Sequence, residues 1–184
     1  MFLNIITPCS RPQNLIKISE SINIPTKNYR WIVVFDMNEL PLKKFIPNNC
    51  EIYLHKNLNS VVGHAQRNFA LELINTGHVY MNDDDTIIHF DLWDNIKNLN
   101  NDFITFNQSD FYGKQRLIGG EVKINSIDSH NFIVSKDLIG DTKWIIEQYG
   151  ADGYFAVECY SKSKSPVIIN KSLSTYNQLA YNNS

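Results

Sequence analysis

The chain is poor in cysteine. Cys9, Cys50 and Cys159 are odd in number and far apart, and no CxxC pair occurs. That argues against a disulfide framework or a thiolate metal site and for reduced thiols in a cytoplasm-like compartment. No apolar run approaches the ~20 residues of a membrane helix. The start, Met1-Phe2-Leu3-Asn4-Ile5-Ile6-Thr7-Pro8, is apolar but lacks the basic flank and long apolar stretch of a signal peptide. It reads as a first strand, and the expected location is cytoplasmic. An excess of one charge is also missing. The net charge of −2 gives no broad basic surface for nucleic acid, and Lys162-Ser163-Lys164 is too short to make one. There is no repeat, linker or break in composition. What remains is 184 residues, 43% hydrophobic and 20% charged, enough for one globular domain with a core, expected to span 1–184.

Apolar periodicity in the first half alternates strands and helices. A buried-type strand over 2–7 is stopped by Pro8, and a helix follows over 13–21. A strand over 31–35 ends in Asp36, and a short strand covers 51–54. A helix over 63–74 turns Ala65, Phe69, Ala70, Leu73 and Ile74 inward and ends near Gly77. Another strand then begins near Val79. This β-α-β-β-α-β order implies an α/β fold with a mostly parallel central sheet and helices on both faces. In the second half the pattern predicts helices over 90–99, 143–149 and 154–161. It also predicts strands over 102–106, 131–135 and 167–169, with an edge strand or hairpin arm over 121–125. The tail from Tyr176 is expected to be partly disordered or packed across the sheet.

The chemistry concentrates in Val79-Tyr80-Met81-Asn82-Asp83-Asp84-Asp85-Thr86. A strand that ends in three acids puts negative charge at the carboxyl edge of the sheet, where open α/β folds bind ligands. A divalent cation is one compensation, and oxygen-only ligands suit Mn²⁺ or Mg²⁺. An exposed acidic turn is the other reading. Thr7-Pro8-Cys9-Ser10-Arg11-Pro12 follows the first strand. It can line a nucleotide with Arg11 facing phosphate or base, or it can be a proline-fixed turn. Asp36 can accept a hydrogen bond from a uracil or guanine N–H, or cap a turn. Arg67 and Asn68, in Gln66-Arg67-Asn68-Phe69-Ala70-Leu71, can offer a fork to phosphate or form a solvated helix face.

Taken in order, Ile6-Thr7-Pro8…Arg11-Pro12, Trp31-Ile32-Val33-Val34…Asp36, Gln66 to Leu71 and Val79-Tyr80…Asp83-Asp84-Asp85 resemble the GT-A glycosyltransferases. The likeness is to the β-1,3-glucuronyltransferases of proteoglycan linker synthesis and to family 2-like inverting transferases of bacteria and large viruses. It covers about the first 90 residues. The resemblance implies a Rossmann-like GT-A fold, with 1–90 as the nucleotide-sugar half and 91–184 as a trimmed acceptor half. It implies a UDP- or GDP-sugar donor and a Mn²⁺ or Mg²⁺ ion. Asp85 would be the direct metal ligand, and Asp84 would lie near the donor ribose or sugar. Asp36 would hold the base, and Arg67 would sit near the donor sugar and the acidic loop. Thr7, Pro8, Arg11 and Asp83 would complete the donor site. Two departures stand out. Val62 occupies the position of a further arginine in the glucuronyltransferases, so a glucuronic acid donor is not expected. No late histidine follows Cys159.

Inverting transfer needs one carboxylate to take the proton of the acceptor hydroxyl. Asp152, in Gly150-Ala151-Asp152-Gly153-Tyr154, stands where similar transferases place that base, though it could equally cap the helix that follows. Glu158 is the rival, more often structural at its place within a helix. His130 could bind acceptor or phosphate, or be a satisfied structural histidine, with Asp128 and Ser129 beside it. Trp144 could stack on a sugar or be core, and Trp93 reads as core. The expected function is a metal-dependent inverting glycosyltransferase acting on a carbohydrate or glycan hydroxyl, with no nucleic acid partner and no membrane span. A nucleotidyltransferase and a non-catalytic nucleotide-sugar or glycan-binding module are the alternatives. The first of these usually has a glycine-rich loop after strand one, and this loop has no glycine.

Overall fold

A computed structural model describes residues 1–56 and 63–179. Val62 therefore lies outside the described residues. The strands are β1 (Leu3–Cys9), β2 (Tyr29–Phe35), β3 (Glu51–Leu54), β4 (His78–Met81), β5 (Phe103–Ser109), β6 (Gln115–Leu117), β7 (Phe132–Ser135) and β8 (Pro166–Thr175). The helices are α1 (Leu15–Ser21), α2 (His64–Glu72), α3 (Leu92–Ile96), α4 (Lys136–Ile139) and α5 (Ala151–Lys162). The strands form one sheet in the order β3-β2-β1-β4-β7-β5-β6, and β8 adds to the other edge of β5. β1, β2, β3 and β4 run parallel, as do β5 and β8. β7 is antiparallel to both β4 and β5.

Burial on both faces explains why β1 is mostly apolar and shows no strict alternation. Leu15 and Ile18 of α1 and Leu92 and Ile96 of α3 pack against one face of the sheet. Ala70 and Leu71 of α2, Ile139 of α4, and Phe155, Ala156 and Cys159 of α5 pack against the other. The expected mostly parallel sheet with helices on both faces is what forms. Among the described residues, no helix is long and apolar enough to cross a membrane.

The direction of the strands decides what meets at the carboxyl edge. β1, β2 and β4 end there, so Arg11, Asp36 and the acidic loop converge. β7 starts there because it runs antiparallel to β4, which brings in the preceding residues 128–131. β5 and β8 end there and β6 starts there, adding Arg116 and Tyr176. The tail then crosses this edge: Tyr176 N donates to Ser109 O at 2.9 Å, and Leu179 N donates to Asp85 O at 2.6 Å.

Several expected elements differ. β1 runs through Pro8 to Cys9. The carbonyls of Ile6 and Cys9 serve β4 and β2 respectively, so by alternation the nitrogen of Pro8 faces the β4 side. No ladder partner stands there beyond Met81, and the missing N–H breaks no bond. Residues 121–125 form no strand. They lie against the start of α5, where Gly153 approaches so closely that a Cβ would sit 2.9 Å from Ile124 Cα. The hairpin arm is β6 instead. Residues 143–149 form no helix, because the Asn68 side chain binds the backbone of Trp144 on both sides, donating to its carbonyl at 2.9 Å and accepting from its N–H at 2.8 Å. The turn expected over 151–153 is the first turn of α5, begun by Gly150 with a left-handed φ of 84°. The helix expected over 90–99 shortens to α3, and the strand expected over 167–169 lengthens to β8.

Phe155 ties α5 to this arrangement by stacking on Trp144 at 4.9 Å. Phe155→Ala should lower unfolding stability by about 3–5 kcal/mol, the range for emptying a buried aromatic site, with the loss read from the urea midpoint.

Candidate functional site

A cavity of ≈ 560 Å³ opens at the carboxyl edge of the sheet. Its floor is the loop after β4, closed by Asn82 Nδ2 donating to Thr86 O at 2.9 Å. The three acids of this loop have separate partners. Asp83 pairs with Arg67 of α2 and lies 3.1 Å from His130 Nε2. Asp84 accepts from Ser10 N at 2.6 Å, Arg11 N at 2.7 Å and Arg11 Nε at 2.9 Å, with Arg11 Nη2 at 2.8 Å. Asp85 meets Arg11 Nη1 at 2.9 Å, and Thr86 Oγ1 is 3.3 Å from its other oxygen.

These contacts sort the acids by role. Asp84 is saturated by the loop after β1, so its carboxylate shapes that loop at the cavity edge. Burial would raise the pKa of Asp83, but Arg67 and His130 outweigh it and hold the group well below the ordinary carboxylate range. Asp85 is shifted the other way. Burial raises its pKa, Arg11 opposes that, and repulsion from Asp83 adds to it. Asp85 is thus the acid of the loop with the least compensation.

His130 is 2% exposed and stands between two acids, with Nδ1 3.0 Å from Asp128 Oδ1. Nδ1 lies off the hydrogen-bond direction, so that contact is a charge pair. Burial would lower the His130 pKa, but Asp83 and Asp128 raise it to about 10. His130 thus lines the cavity from between two carboxylates, with the Asp83 backbone N also 3.1 Å from its Nε2. Burial likewise opposes ionisation of Asp128, and His130 overcomes it, leaving that pKa lowered. Asp128 Oδ2 continues the chain to Arg116 at 3.1 Å, and the Arg116 guanidinium lies 3.8 Å from the Tyr176 ring centroid.

Asp152 lines the cavity from the first turn of α5. Gly150 occupies the capping position, so Asp152 is not the helix cap. Burial raises its pKa, and repulsion from Asp128 raises it further. Pro8, Arg11, Asp36 and Arg67 also line the cavity. Arg67 is buried rather than on a solvated face, its guanidinium 4.7 Å from the Trp144 ring centroid. Thr7 does not reach the cavity. Its hydroxyl is buried in the sheet and accepts from Trp31 Nε1 at 2.9 Å, which corrects its expected donor contact. Glu158 binds Thr142 Oγ1 at 2.9 Å and Lys162 Nζ at 2.6 Å on the outer side of α5, away from the cavity. Trp144 is 2% exposed, with Phe155 and Arg67 against its ring, so no sugar can stack there. Trp93 packs against the core. Arg116 and Tyr149 also line the cavity, and sequence reasoning missed both, since neither belongs to a motif.

No protein-family model matches the sequence, and comparison with curated protein sequences finds no match. Solved structures share the fold. TarS 1–349 of S. aureus superposes with a TM-score of 0.74 at 15% identity over 95% of this chain and 60% of that one. Its complex with UDP-GlcNAc gives 0.74 at 17% identity, over 95% and 58%. The mannosyltransferase PcManGT from Pyrobaculum calidifontis, in complex with GDP-Man and Mn²⁺, gives 0.69 at 10% identity, over 95% and 56%. The chain therefore spans about 60% of the length of TarS 1–349. At these identities the likeness is one of fold: a mixed α/β domain with a mostly parallel central sheet flanked by helices.

The His130 bridge has a consequence for stability. Its folded pKa of about 10 lies above the ordinary 6.5. Between those values the unfolded chain releases a proton that the folded chain keeps, so stability falls as pH rises. The contribution is fully present below about pH 6.5 and lost as pH climbs through about 10. His130→Gln removes one partner from each of two acids that keep Arg67 and Arg116, and should cost about 1–3 kcal/mol. Urea melts of both proteins from pH 6 to 10 should show the alkaline loss in the parent and a flatter profile in the variant.

Proposed function

We propose that the protein is a metal-dependent inverting glycosyltransferase of the GT-A type. It would move a sugar from a UDP- or GDP-sugar to a hydroxyl of a glycan. The observation that carries this reading is the gathering of Arg11, Asp36, Asp85 and Asp152 around one cavity. The fold supports it, being shared with structures bound to UDP-GlcNAc and to GDP-Man with Mn²⁺. Residues 1–90 would hold the donor and 91–184 the acceptor.

Asp36, at the cavity beyond β2, accepts from the N–H of the base. Arg11 and Arg67 carry positive charge to the donor side. Asp152 takes the proton from the acceptor hydroxyl as its oxygen attacks the anomeric carbon. The bond from that carbon to the diphosphate oxygen breaks on the opposite face, the electron pair leaves with the diphosphate, and the configuration inverts. The raised pKa of Asp152 brings a carboxylate nearer the working range of a general base.

The residues fit a Mn²⁺ or Mg²⁺ ion in one way. Asp84 is saturated and Asp83 is locked to Arg67 and His130, which leaves Asp85 to hold the ion. Among the described residues, no group of three or more His, Cys, Asp or Glu is arranged to hold a metal. The remaining ligands would then come from the donor diphosphate and water, a habit of Mg²⁺ sites. When bound, such an ion neutralises charge developing on the leaving diphosphate.

Two outcomes test these roles. Asp152→Asn should lower turnover by about 10²–10⁴-fold, the usual effect of losing a general base, with donor affinity unchanged because the base meets the acceptor. Near-parental turnover would remove Asp152 from the chemistry. Asp85→Asn should abolish the Mn²⁺ dependence of UDP or GDP binding in calorimetry while leaving the melting curve of the free protein intact. The same metal-dependent affinity in the variant would overturn the ligand assignment.

A further inference from the structure

We infer that the cavity wall beside Asp152 is an acceptor subsite for a neutral pyranose, built from Tyr149, Tyr176, Asn125 and Asn177. This deepens the proposed glycosyl transfer and rests on that reading. Tyr149 stands three residues before Asp152 and lines the cavity, yet it is 81% exposed. A large ring left in water contributes little to the core, and a cavity wall is where such a ring meets a ligand. Tyr176 lines the same cavity. Its ring is braced by the Arg116 guanidinium.

The backbone supplies a second, independent observation. Among the described residues, the non-glycine positions with left-handed φ are Asn125 at 67° and Asn177 at 47°. Both line this cavity. Asparagine adopts this conformation more readily than most residues, and both turns place it at the cavity. Asn125 is held beside the start of α5: its Oδ1 lies 3.8 Å from where a Cβ on Gly150 would stand. Asn177 is held by the bonds of Tyr176 and Leu179 on either side of it.

The chemistry of this set is that of a sugar site. Aromatic faces cover the C–H face of a pyranose. Each amide offers both a donor and an acceptor, which suits neighbouring hydroxyls. The carboxylate of Asp152 then faces the hydroxyl to be activated. The set does not suit an anionic acceptor. Arg116, its nearest guanidinium, is engaged with Asp128, Gln108 and the Tyr176 ring, and the two acids Asp128 and Asp152 repel a phosphate.

The test is saturation-transfer NMR on the UDP- and Mn²⁺-loaded protein. The probes are the methyl glycosides of glucose, galactose, mannose and N-acetylglucosamine, with glycerol phosphate as the anionic probe. At least one glycoside should bind, with saturation strongest on the ring C–H protons. Tyr149→Ala should weaken that binding about tenfold, and Tyr149→Phe, which keeps the ring, should restore it to within about twofold. UDP affinity by calorimetry should be equal in all three proteins. The inference is overturned if no glycoside binds, if Tyr149→Ala binds the glycoside as well as the parent does, or if glycerol phosphate binds in its place. Failure of both UDP and GDP to bind would instead overturn the glycosyl-transfer reading. The glycoside titration would then be read on the unloaded protein, where the same outcomes decide the subsite.

Discussion

Three carboxylates in a row at the end of β4 must each find compensation within a few ångströms, and the segments that supply it build the carboxyl edge of the sheet. The loop after β1 wraps Asp84 with two backbone N–H groups and one guanidinium. Helix α2 brings Arg67 to Asp83, and the turn before β7 brings His130 to the same acid. Asp85 is left with Arg11 and a hydroxyl. The cavity is what stands above these contacts once they are made.

From Asp83 the compensation continues as an alternation of charge: Arg67, Asp83, His130, Asp128, Arg116. Removing one member of such a chain strands its neighbours, whereas replacing the whole by apolar groups is often neutral or stabilising. Stability alone is therefore a weak reason for these charges. Their position is a better one, because the chain joins the acidic loop at one end to the surroundings of Asp152 at the other. The proposed donor and acceptor sides are thus held in one electrostatic unit. The same Asp128 that His130 keeps ionised repels charge on Asp152.

Much of this was legible in the sequence where local pattern and parallel topology suffice. Apolar runs marked β1, β2 and β4, and parallel strands put whatever follows them at one edge, so Arg11, Asp36 and the acidic loop could be grouped without coordinates. Asp152 was singled out through the family resemblance, at a turn that is in fact the first turn of α5. The rest depended on contacts between distant residues. Thr7 lies within the strand that Arg11 follows, and its hydroxyl is buried against Trp31. A helix was expected over 143–149 from propensity, and the Asn68 side chain took the backbone groups of Trp144. His130 reads as an ordinary polar residue until Asp83 and Asp128 are seen on either side of it. Arg116 and Tyr149 belong to no motif. The antiparallel β6 delivers one to the cavity, and the irregular segment before α5 delivers the other.

The central claim is that this edge binds a nucleotide diphosphate with its base against Asp36. Calorimetric titration of the protein and of Asp36→Ala with UDP and GDP, in the presence of Mn²⁺, tests it most directly. The account predicts saturable binding of at least one nucleotide, weakened in the variant by about 1–3 kcal/mol, the cost of losing a hydrogen bond to a charged group. Binding of neither nucleotide, or equal affinity in the two proteins, would contradict it.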